Sequence, residues 1–250
     1  MLLSALDTTS DEDLAAAFRQ AADQVSTLGQ RFGISVKGYE DPALPHFSAM
    51  PLESRRNAVH ALRGYHTSLL AGIQADKNLD QPHVSTWWAF STLGLVPPAE
   101  LFRHFLPDSM IEVYNLEGAQ IWRNFHFFRY SSYTLEEIHC LPWNKLYDKG
   151  DDVTAECFKY ISAVVSGASE LLLPDHPEFV LTETCSRDRC VLKVRHYLIS
   201  SLKNREGNVS AFLVCTKAKI LAHGAREVPY AHREGSLLRG HLSLVPPPEA

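Results

Sequence analysis

The chain has 250 residues, room for one large domain or two small ones, and its 45% hydrophobic content is that of an ordinary globular protein. Its net charge of −5 supplies no general basic face, so a nucleic-acid partner is not expected. The five cysteines are odd in number and irregularly spaced, which reads as reduced thiols in a cytoplasmic protein. The opening MLLSALDTTSDEDL lacks a basic n-region and its apolar run is too short for a signal peptide. No stretch approaches the roughly 18 apolar residues of a membrane span, so no membrane partner is expected.

Residues 1–96 read as a helical region. Thr9-Ser10-Asp11-Glu12 has the form of a capping box. Leu14, Phe18, Ala21, Val25 and Leu28 then recur at helical spacing, with Gly29 or Gly33 as a stop. Three prolines in 41–51 mark a linker. A second helix after Pro51 lines up Ala58, Leu62, Tyr65, Leu69 and Ile73, and Asp80-Gln81-Pro82 breaks it. The apolar run VSTWWAFSTLGL at 84–95 fits either a helix or a strand. Each helix must bury its stripe, in a small bundle or across a dimer interface.

From Pro97-Pro98 the pattern changes. A short amphipathic helix, AELFRHFL, ends at Pro107. Met110 to Tyr114 and Gln120 to Arg123 alternate like strands around the turn Asn115-Leu116-Glu117-Gly118. Phe125 to Tyr130 forms a helical turn, and Thr134-Leu135-Glu136-Glu137 is a second capping box. Residues 151–166 place Cys157, Phe158, Ile161, Val164 and Val165 on a longer helix, with Asp151 and Asp152 at its favourable end. Three strands follow, over 178–184, 190–200 and 208–220, the last two joined by Asn204-Arg205-Glu206-Gly207. The fold class is therefore α+β: a five-stranded antiparallel sheet with short helices on one face, over 97–222, preceded by the helical region. The tail, 223–250, carries Pro-Pro-Pro and is expected to be partly disordered.

This series of signals resembles a PAS domain. The likeness runs through ELFRHFLPD, IEVYNLEGAQIWRN, NFHFFRYSSYTLEEI, PWNKLYDKGDD, the longer helix and FVLTETCSRDRCVLKVRHYLISSLKNREGNVSAFLVCTKAKI, about half of the chain. Ser132 stands where the family usually has Gly before Tyr133, and Arg189-Cys190 where Asp-Gly is common. The resemblance implies a sensory module that binds a small ligand or cofactor, or pairs with a second copy, and passes a change to a protein partner. A homodimer with a protein signalling partner is expected, and no enzyme activity.

A sheet roofed by short helices leaves room for a pocket. Its expected lining is Phe128 from the aromatic turn, Trp143, then Cys157, Phe158 and Ile161 from the longer helix, and Val194, His196 and Leu213 from the strands. Alternation in CVLKVRHYLIS puts Cys190, Leu192, Val194, His196 and Leu198 on one face and sends Lys193 and Arg195 to solvent or a partner. His196 then either satisfies itself in the core or reads a ligand's polar group. The cofactor is not determined by the sequence. The haem arrangement that the resemblance suggests needs a His on the longer helix, which has none, while His126 on the aromatic turn and His139 leave a different ligand geometry open. Photoreceptor flavin attachment needs Asn-Cys-Arg, and Cys140 is followed by Leu-Pro-Trp instead. Non-covalent FAD leaves no mark to read. No two His lie three or four residues apart, so no helical metal face is expected.

Two other readings stand beside sensing. One is an empty PAS scaffold that pairs through a free sheet face and the helix at 99–106. The other is a small enzyme with His196 and Glu183 as acid and base.

Overall fold

The computed structural model describes residues 11–175, 177–186 and 188–223. Thr9 and Ser10 of the first capping box, and all of the tail beyond residue 223, lie outside these residues.

Helix α1 (Asp11–Arg31) buries Leu14, Phe18, Ala21, Val25 and Leu28, the stripe expected from spacing. The proline-rich segment holds a one-turn helix, α2 (Pro45–Ser48), whose Phe47 is buried against Phe18. Helix α3 (Leu52–Gln74) buries Ala58, Leu62, Tyr65 and Leu69 and stops before Asp80, with Asp76 in the left-handed region at φ 53°. The ambiguous apolar run is helix α4 (Pro82–Leu93), closed by Gly94 at φ 69°. After it comes only a 3₁₀ turn, Leu101–His104, in place of the expected amphipathic helix: Pro107 leaves too few residues for a stable α-helix.

Strands β1 (Met110–Asn115) and β2 (Gln120–Arg123) form the expected hairpin. Two short helices follow, α5 (Phe127–Tyr130) and α6 (Leu135–Cys140). The Thr134 capping box is complete, with Glu137 N donating to Thr134 Oγ1 and Thr134 N to Glu137 Oε2. Next come α7 (Trp143–Leu146), β3 (Tyr147–Asp148), α8 (Asp151–Val165) and β4 (Leu171–Leu172). Strands β5 (Phe179–Glu183), β6 (Cys190–Lys203) and β7 (Val209–His223) close the sheet.

The sheet has seven strands, not five, in the order β2-β1-β7-β6-β5-β3 with β4 paired to β6. The two extra strands have two residues each, too few for alternation to announce them. The five long strands are antiparallel neighbours as expected.

Helices cover both faces of this sheet, a second departure from the sequence reading. Register explains it. Met110, Glu112 and Tyr114 oppose Thr216, Val214 and Phe212; Ile111 and Val113 oppose Cys215 and Leu213. The first set turns towards α8, whose Ile161 and Val164 pack with Tyr114, Ile199, Phe212 and Val214. The second set joins one large core with Leu14 and Phe18 of α1, Leu62 and Tyr65 of α3, and Phe125 and Phe127. A sheet with two apolar faces must cover both, and the amphipathic N-terminal helices cover the second.

Hydrogen bonds also cross position 96. Val96 N and Lys203 O lie 2.7 Å apart, with the reciprocal bond at 3.0 Å. Glu136 Oε1 accepts from His46 N and Phe47 N, capping α2, while Leu135 N donates to Lys37 O. Arg129 pairs with Asp80 at 2.7 Å. The N-terminal helices and the sheet thus share one core and many backbone partners.

Because they share it, Leu213→Ala in β7 should cost about 2–5 kcal/mol and unfold helices and sheet together. Urea unfolding followed by far-UV circular dichroism and by tryptophan fluorescence should give coincident, shifted midpoints. A variant that keeps its helical signal while the fluorescence transition moves would contradict a shared core.

Candidate functional site

The pocket lies between the sheet and α8. Its floor comes from Met110, Glu112 and Tyr114 of β1, Phe212, Val214 and Thr216 of β7, and His196 and Ile199 of β6. Cys157 and Ile161 of α8 roof it, and Trp143, Tyr147 and Lys149 close one side. The space open to the centre of a water-sized sphere is ≈ 50 Å³, enough for a few waters or a compact small molecule.

Two local features build this floor. The pairing rows put alternate residues of β1 and β7 inward. In β6 a bulge at Tyr197 then shifts the phase: His196 pairs with Thr216, but Leu198 pairs with Cys215. His196 and Ile199 therefore both face the pocket, although they are three residues apart. The same shift turns Leu198 to the opposite core, where unbroken alternation had placed it with His196.

Glu112 is the buried acid of the site, 6% exposed. Tyr114 Oη donates to its Oε1 at 2.9 Å, and Gln120 Nε2 reaches both Glu112 Oε1 and Tyr114 Oη. Burial pushes the Glu112 carboxyl above its ordinary range; the Tyr114 bond and the charges of Arg123 and Lys149 oppose that rise. Burial, with the Glu112 charge, also drives the Tyr114 phenol well up.

Two cations stand close to this carboxylate. Arg123, opposite Glu112 in the hairpin, is 0% exposed. Its guanidinium lies 5.1 Å from the Phe127 ring centre and 5.8 Å from that of Phe128, and none of its nitrogens has a hydrogen-bond partner. Burial lowers its pKa to about 10, so it stays charged at neutral pH. Lys149, half-buried, holds its ammonium 4.0 Å from the Trp143 ring centre. Burial depresses its pKa to about 8, against the pull of Cys157 and Glu112. The hairpin turn supports Trp143 directly. Gly118 has φ 78°, and a Cβ there would stand 3.2 Å from Trp143 Cδ1.

Of the residues expected to line the pocket, Trp143, Cys157, Ile161 and His196 do so. His196 Nδ1 lies 2.7 Å from Thr216 Oγ1, and its ring meets Phe179 edge-on at 5.2 Å. Phe158 packs behind Trp143 at 5.0 Å and is not part of the lining. Val194 is buried with Leu181, Cys190 and Leu192 farther along β6. Leu213 faces the opposite core because Phe212 and Val214 take the inward positions. Phe128 joins that same core and stacks on Arg123. Glu112, Tyr114, Tyr147 and Lys149 were not anticipated. The signal for Glu112 was present: a charged residue within the apolar strand MIEVY, two positions from a Tyr that shares its face.

Glu183 serves a different purpose. It is 1% exposed and accepts from Ser131 Oγ, Ser132 N, Ser132 Oγ, Ser186 Oγ and Cys190 N. Five donors occupy its lone pairs, so it ties the loop before α6 to the β5–β6 turn. Among the described residues no group of three or more His, Cys, Asp or Glu could hold a metal ion, and no helix is long and apolar enough to cross a membrane.

No protein-family model and no curated protein matches the chain. A solved structure of an RNA-binding light-oxygen-voltage receptor is similar to it at 15% identity, with a TM-score of 0.28. The likeness covers 84% of this chain and 64% of that one, so this chain spans less than two thirds of that protein's length. A TM-score this low does not establish a common fold. The chain itself orders a hairpin, short helices, a longer helix and three closing strands in one antiparallel sheet.

The raised Glu112 carboxyl gives a signed pH dependence. A carboxyl whose folded pKa exceeds its unfolded value binds more protons when folded. Its burden is absent below about pH 4 and present once the pH passes the folded value. Glu112→Gln removes that burden, so its stability relative to wild type should improve between pH 4 and pH 7 in urea titrations. A difference that stays constant across that range would contradict a desolvated Glu112.

Proposed function

We propose that this chain is a PAS-type sensory module that binds a small ligand between its sheet and α8 and signals through protein contact. The observation that carries the reading is the composition of the pocket. Four aromatic side chains, Tyr114, Trp143, Tyr147 and Phe212, surround a few polar groups placed to orient a ligand: Glu112, Lys149, His196 and Thr216. Apolar walls with few convergent polar groups and perturbed acidities are the mark of a small-molecule site.

A route for output follows from the shared strands. A ligand pressing on Tyr114, Phe212 or Val214 displaces β1 and β7, whose alternate residues Val113, Leu213 and Cys215 belong to the core under α1 and α3. The N-terminal helices then carry the change to a partner or a second copy. The compactness of the pocket favours one further reading, a ligand-free scaffold. In that case pairing uses the helical surface, because the sheet face expected to be free is covered by helices.

Native mass spectrometry and a melting screen of small fragments test the proposal. Sensing predicts a bound small molecule in freshly purified protein, or fragments that raise the melting temperature by a few degrees. The effect should disappear in Cys157→Phe, which fills the space beneath α8. Bare-chain mass together with no stabilising fragment supports the scaffold.

A further inference from the structure

The charges around the pocket do not balance. Lys149 lines it, and no hydrogen bond or ion pair joins its ammonium to any described residue; only the Trp143 ring receives it. Arg123, fully buried opposite Glu112, likewise has no acceptor for any of its nitrogens. The one carboxylate of the lining, Glu112, already accepts from Tyr114 Oη and Gln120 Nε2. The acids that follow the chain past Tyr147 do not compensate. Asp148, Asp151 and Asp152 are exposed, and Asp148 Oδ1 accepts from Gly150 N. Lys149 in the lining and Arg123 behind the floor therefore stand near a single carboxyl that already accepts two hydrogen bonds. A cation kept out of water without an acceptor, as Arg123 is, is costly, and the cost falls when an anion comes near; Lys149 is only half-buried, and the Trp143 ring is its sole partner among the described residues.

We propose that the pocket takes a small organic acid, with its carboxylate received by Lys149 and its apolar part held among Tyr114, Trp143 and Phe212. This deepens the sensory reading and rests on it. An amine would add a third cation to the same space. A neutral molecule would leave Lys149 without a charged partner. The flat surfaces favour an unsaturated or aromatic acid: Tyr114 and Phe212 are stacked, with centroids 5.1 Å apart and planes 12° apart, and Trp143 stands on the side of Lys149. The raised pKa of Glu112 works in the same direction, because burial disfavours the one negative charge a bound acid would meet. The positive field of Arg123 behind the floor favours an anion whether or not the guanidinium touches it.

The test is calorimetric titration of the whole chain with benzoate, benzamide and benzylamine, which share a ring and differ in charge. The proposal predicts that benzoate binds about tenfold or more above benzamide, the value of one charged hydrogen bond. Benzylamine should bind weakest. Lys149→Gln, on a half-buried side chain with no polar partner, should fold normally. It should reduce benzoate affinity about tenfold and leave benzamide within about twofold. Benzamide or benzylamine equalling benzoate, while both are lost in Cys157→Phe, would overturn the acid preference and leave a ligand pocket standing. Benzoate binding unchanged by Lys149→Gln would overturn the assignment of its carboxylate. Absence of binding by all three probes would overturn the acid proposal, and the sensory reading beneath it falls only if native mass spectrometry and the fragment screen are also empty.

Discussion

Pairing of Met110–Asn115 with the final strand is the constraint on which the rest of the molecule depends. Its register sets Glu112 opposite Val214 and Val113 opposite Leu213. A slip of one residue would exchange the two faces. Glu112 and Tyr114 would enter the large core beneath α3, and Val113 would take the pocket floor. The hairpin helps hold the register through its turn. Asn115 Oδ1 accepts from Ala119 N at 2.8 Å, and Gly118 provides the positive φ that a tight return requires. The same turn supports Trp143, so local backbone chemistry and the wall of the site are fixed together.

Two cores follow from one strand, and they differ in character. The face under α1 and α3 is mostly apolar, with Tyr65 set edge-on against Trp122 at 6.3 Å, although the Arg123 guanidinium lies over its Phe127 and Phe128 rings. The face under α8 keeps a buried acid, a half-buried lysine and a histidine among aromatic rings. Such polar groups add little to stability, since desolvation offsets most of what their pairing returns. On the reading proposed above, these groups orient a ligand. The arrangement also couples the two cores: every displacement of β1 or β7 on the pocket side moves side chains on the helical side.

Much of this was legible in the sequence where periodicity was long. The stripes of α1 and α3, the hairpin, the Thr134 cap and the three closing strands all repeat often enough to declare themselves. What escaped notice was either short or out of phase. Strands β3 and β4 span two residues each, and the 3₁₀ turn before Pro107 has only four. The bulge at Tyr197 was invisible because it depends on the partner strand, and it moved Leu198 to the wrong side of an alternation count. In the site, Cys157, Ile161 and His196 were readable from period alone. Leu213 was not, because choosing between it and its neighbours needs the register with β1. Lys149 lies outside any repeating element, and only its approach to Trp143 gives it meaning.

Methyl and aromatic nuclear Overhauser contacts in the isotope-labelled chain test the two-faced sheet most directly. Contacts between the rings of Tyr65 and Trp122, and from the methyls of Ile199 and Val214 to Ile161 and Val164, should form two separate sets. Contacts from Leu213 to Ile161 or Val164, or from Val214 to Leu62, would contradict the register and remove the pocket built on it.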